Sequence, residues 1–112
     1  MTRREILIAN MDISLGELLN EIHYMEVAIE RMEKKFENKD EHYISILEYY
    51  RDMVKNYRLD FTRFTHFRNL AVTARPTLEA LEMYNAIING AAASIQDTGE
   101  YVWCNILDET ID

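Results

Sequence analysis

The chain has 112 residues, 48% of them hydrophobic, and a formal net charge of −8 at pH 7. This length suits one domain around one hydrophobic core and excludes two ordinary domains. Only three Gly and one Pro occur, too few for the turns of a β-sandwich or barrel, so helices are expected. A single Cys, no apolar N-terminal signal segment and no run of about 18 apolar residues predict a cytoplasmic protein that does not span a membrane.

The charge is distributed unevenly along the chain. Residues 1–38 carry five basic and eight acidic side chains, residues 39–76 carry seven and five, and residues 77–112 carry none and seven. A C-terminal third without Lys or Arg repels nucleic-acid phosphates and anionic lipids, because binding either depends on clustered basic side chains. We therefore expect no direct nucleic-acid or membrane binding, and a protein partner with a basic surface instead.

The first predicted helix covers about residues 2–37. Thr2 and Glu5 have the spacing of a capping box at its start. Apolar residues then recur at alternating spacings of three and four, and the row passes through Gly16 without a break. The row consists of Ile8, Met11, Leu15, Leu18, Ile22, Met25, Ile29, Met32 and Phe36. Because Gly costs about 1 kcal/mol relative to Ala in a helix, a bend near residues 11–16 is the alternative to one continuous helix.

The second predicted helix covers about residues 41–75 and ends where Pro76 disfavours a helical Arg75. Its row consists of Tyr43, Leu47, Tyr50, Val54, Tyr57, Phe61, Phe64, Arg68 and Ala71. Residues 38–41, Asn-Lys-Asp-Glu, are typical of a tight turn between the helices. The two rows align as a long antiparallel hairpin centred on this turn, which pairs Ile22 with Tyr57.

The two flanks of this hairpin differ in polarity. One, the g flank, consists of Ser14, Glu21, Ala28 and Lys35 with Ile46, Met53, Asp60 and Phe67. The other, the e flank, consists of Asp12, Leu19, Glu26 and Glu33 with Ile44, Arg51, Arg58 and Thr65. Because the g flank is less polar, we expect a third helix to dock there.

Basic side chains line one side of the second helix, at Arg51, Lys55 and Arg58. Because Arg51 is expected to face Glu26 across the e flank, this row is predicted to be a solvated, salt-bridged surface rather than a phosphate-binding one. The two apolar rows form the seam of the hairpin. Arg68, the charged member of the second row, is expected to fix the register of this seam.

The third predicted helix covers about residues 77–97 and ends near Gly99. Its apolar stripe consists of Leu78, Leu81, Tyr84, Ile87, Ile88, Ala91, Ala92 and Ile95, with Asn85 as a polar intrusion. Residues 100–107 fit either a short fourth helix or a strand. The predicted fold is therefore an all-α bundle of three to four helices, forming one domain over residues 1–112.

No catalytic or metal-binding pattern is evident in the sequence. It has neither a Gly-rich phosphate-binding loop nor a Glu-x-x-His pair of the di-iron type. On the hairpin register, His23, His42 and His66 lie at levels about 15–20 Å apart. We therefore predict a non-enzymatic protein without metal or cofactor.

A weaker alternative is a small-ligand site on the g flank. Glu21 and Asp60 should come together there near the third helix, and Asn85 is the polar residue in that helix. Two crowded carboxylates would hold a cation or a basic ligand group. The ordinary explanation is that nearby Arg63 neutralises them.

The acidic C-terminal third is the favoured interaction surface. Its predicted partner-binding residues are Glu79, Glu82, Asp97, Glu100, Tyr101, Trp103, Asp108 and Glu109. This composition is similar to that of small acidic helical proteins from phages and mobile elements that inhibit restriction or CRISPR nucleases, which implies a binding module that occupies a basic, nucleic-acid-binding surface. The alternative is a self-associating assembly protein that uses the e flank or residues 90–94.

Overall fold

The computed structural model describes residues 1–35 and 41–111, and it defines the side-chain surroundings of these residues except at 35, 42, 43 and 98–111. Three helices follow one another: α1 (Arg3–Lys35), α2 (Glu41–Thr73) and α3 (Leu78–Ile111). The described part of the chain contains no strand, so the predicted all-α bundle is confirmed. Phe36 and the predicted turn at residues 38–40 lie outside the described residues.

The start of α1 is fixed by the predicted capping box. The backbone N–H of Glu5 donates to Thr2 Oγ1 over 3.2 Å, and the Thr2 hydroxyl donates to the Glu5 carboxylate over 3.1 Å. The helix then runs without a break to Lys35, so Gly16 does not bend it. At the N-terminal end, Leu7 rather than Ile8 is fully buried, because a straight helix drifts by about 20° per heptad from a 3.5-residue repeat.

A tight connection joins α2 to α3. Helix α2 ends at Thr73, and Arg75 adopts a left-handed backbone conformation with φ of 48°, as C-terminal helix caps commonly do. Pro76 follows, and Thr77 then caps α3 by accepting the backbone N–H of Ala80 over 3.2 Å. The reversal therefore needs only residues 74–77.

The three helices run up, down and up, with α1 in the centre. The pairs Arg3–Glu82 and Ser14–Asn89 show that α1 and α3 are parallel. Helix α1 packs extensively against both neighbours, whereas α2 and α3 contact each other much less. The bundle measures 55 × 21 × 16 Å, which agrees with a hairpin of roughly 50 Å expected from about 35 residues per helix.

Packing between α1 and α3 is closer than the hairpin pattern indicated. Helix α3 turns Leu81, Ile88, Ala92 and Ile95 inward, and all four are buried. The α2 seam instead holds large aromatic side chains, and bulkier side chains separate helix axes further. The partly buried Tyr57 and Phe61 belong to this seam. The predicted hairpin is present, but the pair of helices in closest contact is α1 and α3.

The third helix docks on the predicted g flank and is longer than predicted. Ser14 of that flank is buried and hydrogen-bonded to Asn89, and Phe67 stacks on Tyr84 with ring centroids 5.3 Å apart. Helix α3 does not end near Gly99 but continues to Ile111, so residues 100–107 belong to it rather than to a strand or a separate helix. This gives α3 34 residues, matching the 33 of each neighbour.

Candidate partner-binding surface

Three of the predicted acidic residues of α3, Glu79, Glu82 and Asp97, lie on the side of the helix that faces away from the core. Glu79 and Asp97 are 18 residues apart, about five full turns, so they project in the same direction, and Glu82 lies close to that direction. We call this surface the outer face of α3; its members are Glu79, Glu82, Ala86, Gly90, Ala93 and Asp97, all exposed. No Lys or Arg occurs in residues 77–112.

The acidic end of this face is partly balanced by α1. Arg3 Nε lies 3.5 Å from Glu82 Oε1, and both side chains are about half exposed. Glu79 is in the first helical turn of α3, where a carboxylate is favoured by the helix dipole. Both residues therefore have a structural role beside any binding role, and exposed ion pairs of this kind contribute only about 0–1 kcal/mol.

The middle of the outer face consists of small, uncharged residues. Ala86, Gly90 and Ala93 separate Glu82 from Asp97 by roughly 22 Å along the helix. A Cβ built on Gly90 meets nothing within 4 Å, so this glycine is not required for packing inside the chain. Residues 90–94 are not one patch, because Ala92 faces the core while Gly90 and Ala93 face outward.

The remaining predicted binding residues follow along α3. Their backbone is helical, and their side-chain surroundings lie outside the described residues. They are Glu100, Tyr101, Trp103, Asp108 and Glu109.

The candidate ligand residues are only partly brought together. The hairpin register places Glu21 and Asp60 at the same level of the g flank, and both are half-buried. Asp60 Oδ1 lies 3.7 Å from Arg63 Nη1, the pairing expected of a neutralised carboxylate. Asn85 lies one turn before Asn89, which contacts Ser14, so it sits roughly 16 Å from the level of Glu21. Its buried Oδ1 has no hydrogen-bond partner among the described residues.

The e flank carries a row of ion pairs between α1 and α2, which we call the ladder. Salt bridges were predicted on this flank, but their partners differ from the predicted ones. Arg58 pairs with Glu26 and Arg51 with Glu33, so the expected Arg51–Glu26 pair is wrong. Helical side chains lean toward the N-terminus of their own helix. In antiparallel helices, two such side chains therefore meet when each Cα lies on the C-terminal side of the contact point. This moves the partner of Glu26 by one heptad, from Arg51 to Arg58.

Arg68 forms the third pair of the ladder. Its Nε and Nη2 donate to the two Asp12 carboxylate oxygens over 2.7 and 3.1 Å, a bidentate geometry specific to Arg. This hydrogen bonding, together with the carboxylate charge, raises the pKa of Arg68 above its ordinary value. The Arg68–Asp12 pair links α2 to the N-terminal half of α1. This is the kind of contact through which Arg68 could fix the register, which stays a prediction.

Metal sites and membrane-spanning helices are two further features for which the described part of the chain can be examined. His23 and His66 are exposed on different helices, and no group of three or more His, Cys, Asp or Glu side chains suited to a metal ion occurs among the described residues. None of the helices, over the residues described, combines the length and apolarity needed to cross a membrane.

One surface escaped the sequence reasoning. Ile6, Ile13 and Tyr24 of α1 are exposed although they are large and apolar or aromatic. Ile6 and Ile13 stand seven residues apart on the side of α1 opposite its seam. The seven-residue spacing of Ile6 and Ile13 is visible in the sequence. It was not recognised, because the seam already explained most apolar residues of the first helix.

Comparisons of the chain with protein-family models, with curated proteins and with solved structures find no significant match.

Proposed function

We propose that the chain is a non-enzymatic binding module whose outer α3 face docks on a basic surface of a protein partner. The observation that supports this most is the combination of three exposed carboxylates on one side of α3, Glu79, Glu82 and Asp97, with the absence of any basic residue from position 77 onward. One of the three, Glu82, pairs with Arg3 of α1, and carboxylates between α1 and α2 pair with arginines of α2.

The physical mode of binding follows from this charge pattern. A rigid helix of about 50 Å with carboxylates at separated points attracts a complementary basic groove over long range and accelerates encounter. The small residues Ala86, Gly90 and Ala93 then allow the partner's backbone or side chains to approach α3 closely between the carboxylates. Such binding weakens steeply with added salt, because exposed charges are screened beyond about 10 Å at 0.1 M ionic strength.

The class of partner is the finer part of the proposal. A groove that normally holds the phosphate backbone of DNA or RNA has the clustered Lys and Arg that this face needs. A helix bearing spaced carboxylates would occupy such a groove in place of nucleic acid. The proposal is therefore an inhibitor, of the kind that phages and mobile elements direct at host defence proteins.

The test compares two variants of equal net charge. In the first, Glu79, Glu82 and Glu100 become Gln and Asp97 becomes Asn; in the matched control, Glu17, Glu30 and Glu48 become Gln and Asp52 becomes Asn. The immobilised wild-type chain captures its partner from host lysate at low salt, and mass spectrometry identifies it. We expect the first variant to lose affinity for that partner by about 10- to 100-fold, mainly through a slower association rate.

The control should bind like the wild type. Equal loss in both variants would mean that only net charge matters, and unchanged affinity in the first variant would reject the outer α3 face as the binding surface. Competition by duplex DNA or RNA for the captured partner tests the finer claim, since a partner whose nucleic-acid binding is unaffected by the chain would reject inhibition.

A further inference from the structure

Two large apolar side chains are exposed beside the outer face of α3. Met83 is 59% exposed and Ile87 is 46% exposed. Because they are four residues apart, they lie on one side of the helix. Met83 also precedes Gly90 of the outer face by seven residues, close to two full turns, so the two positions project in nearly the same direction. We call Met83 and Ile87, with the small residues Ala86, Gly90 and Ala93, the apolar strip of α3.

Packing inside the chain uses other residues of α3. Leu81 and Ile88 are buried in the core, and Tyr84 fills the space toward α2 by stacking on Phe67. Neither large side chain of the apolar strip belongs to the buried core or to the partly buried residues packed against it. The strip is therefore available to a partner.

Carboxylates flank the apolar strip at both ends, and no charged residue interrupts it. Residues 83–96 contain no Asp, Glu, Lys or Arg, whereas Glu79 and Asp97 project in one direction about 27 Å apart. On the α2 side, Arg63 is paired with Asp60, so that edge carries little net charge. An apolar centre with a charged rim is the ordinary arrangement of a protein–protein interface, and Met is enriched at such centres.

We propose that the apolar strip binds a helix of the basic partner, one that carries an apolar stripe between two basic ends. This inference rests on the proposed function and specifies the element that the partner presents. Lys or Arg side chains about 27 Å apart on that helix pair with Glu79 and Asp97, and its apolar stripe covers Met83 and Ile87. A surface of phosphate-binding side chains alone would match the carboxylates but leave both apolar side chains in water.

A helix is the element that fits the shape of the strip. The strip is straight, and its two large side chains form a ridge of the i, i+4 kind that packs into the groove of another helix. Ala86, Gly90 and Ala93 lack bulk beside this ridge, and a Cβ built on Gly90 meets nothing within 4 Å. A second helix can therefore approach α3 closely along its middle.

The carboxylates and the apolar strip contribute to binding in different ways. Exposed charges accelerate association, and added salt screens them. Buried apolar contacts act mainly by slowing dissociation, and salt does not screen them. The two contributions can therefore be separated by changing the ionic strength.

The test uses two fluorescently labelled, helical probe peptides of equal length and charge. Both carry Lys clusters about 18 residues apart, as Glu79 and Asp97 are; one has Leu at spacings of three and four between the clusters, and the other has Gln at the same positions. Anisotropy measures their affinity for the intact chain at about 0.1 M and about 1 M salt, where the screening length falls from roughly 10 to 3 Å. The wild-type chain should bind the Leu peptide about 10-fold more tightly, and this preference should remain at high salt.

Substitutions in the chain then locate the preference. The double variant Met83→Gln, Ile87→Gln should bind both peptides equally, and Met83→Gln alone should lose part of the preference. The matched control Leu59→Gln, Val72→Gln removes two side chains of α2 that are 53% and 49% exposed, and it should keep the full preference. Circular dichroism should show unchanged helicity in every variant, because all four side chains are at least 46% exposed.

Three results would overturn the inference while leaving the charge-based proposal intact. They are equal affinity of the wild type for the two peptides, a preference that survives the double substitution, and an equal loss of preference in the control. Failure of the proposed function gives a different result, since neutralising Glu79, Glu82, Asp97 and Glu100 would then leave the affinity for both peptides unchanged at low salt.

Discussion

Gly90 lies on the outer face of α3, where a methyl group would meet nothing within 4 Å. In an exposed helix interior, Gly is less favourable than Ala by about 0.5–1 kcal/mol because it has more backbone freedom to lose on folding. We therefore expect Gly90→Ala to raise the free energy of unfolding by that amount in urea titration. A destabilised Gly90→Ala would show that the backbone at this site is not helical.

Arg75 presents the opposite case, a side chain where glycine fits better. Its left-handed backbone conformation, with φ of 48°, costs a residue with a Cβ roughly 1–2 kcal/mol. Arg75→Gly should therefore stabilise the chain by up to about 1 kcal/mol, part of the gain being offset by the greater freedom of Gly when unfolded. Thermal unfolding followed by circular dichroism checks this, with Arg75→Ala as the control that keeps the Cβ and should bring no such gain.

Single residues were predictable from the sequence where local chemistry decides their role. The Thr2–Glu5 capping box is one such case, since both partners lie within one turn. The pairing of Arg51 with Glu33 instead of Glu26 was not, because it depends on how side chains lean in two antiparallel helices. The buried Asn85 Oδ1 has no hydrogen-bond partner among the described residues, and this could not be predicted from the sequence because it depends on what surrounds α3.

At the scale of helices, the ion pairs of the e flank hold α2 to α1. The Arg58–Glu26 pair is partly exposed, so a double-mutant cycle with Arg58→Met and Glu26→Gln should give a coupling free energy of about 0.2–1 kcal/mol. The coupling should shrink at high salt, because exposed charges are screened. The same cycle applied to Arg51 and Glu26, which do not pair, is the control and should give no coupling.

Two adjacent residues of α3 test whether this helix is part of the core. Ile88 is fully buried, while Ile87 is 46% exposed. Ile88→Ala should lower the free energy of unfolding of the whole domain by about 2–5 kcal/mol, in one cooperative transition. Ile87→Ala should cost no more than about 0.5 kcal/mol. If Ile88→Ala instead melted α3 while α1 and α2 stayed folded, α3 would be an appendage of the hairpin.

Helix positions were well predicted, whereas the end of α3 was not. Periodicity placed α1 and α2 because their apolar rows are regular over 30 residues. Gly99 suggested a stop, but one glycine costs a helix only about 1 kcal/mol, and α3 continues to Ile111. A single glycine is therefore too weak a signal to end a helix.

At the scale of the whole molecule, the bundle separates its surfaces by charge. The e flank is salt-bridged between α1 and α2, one side of α1 exposes Ile6 and Ile13, and the outer face of α3 carries exposed carboxylates. The acidic face was predictable, because a third of the chain without Lys or Arg is visible in the sequence. The exposure of Ile6 and Ile13 required the structure, since it depends on where α2 and α3 pack against α1.

The outer face of α3 as the partner-binding surface is the central claim, and carboxylate footprinting tests it most directly. Carbodiimide-driven labelling, quantified by mass spectrometry, is compared between the free chain and its complex with the captured partner. Labelling of Glu79, Glu82 and Asp97 should fall severalfold in the complex, while the exposed Glu17 and Glu48 should keep their free rates. Unchanged labelling on α3 with protection of Glu17 or Glu48 would contradict the claim.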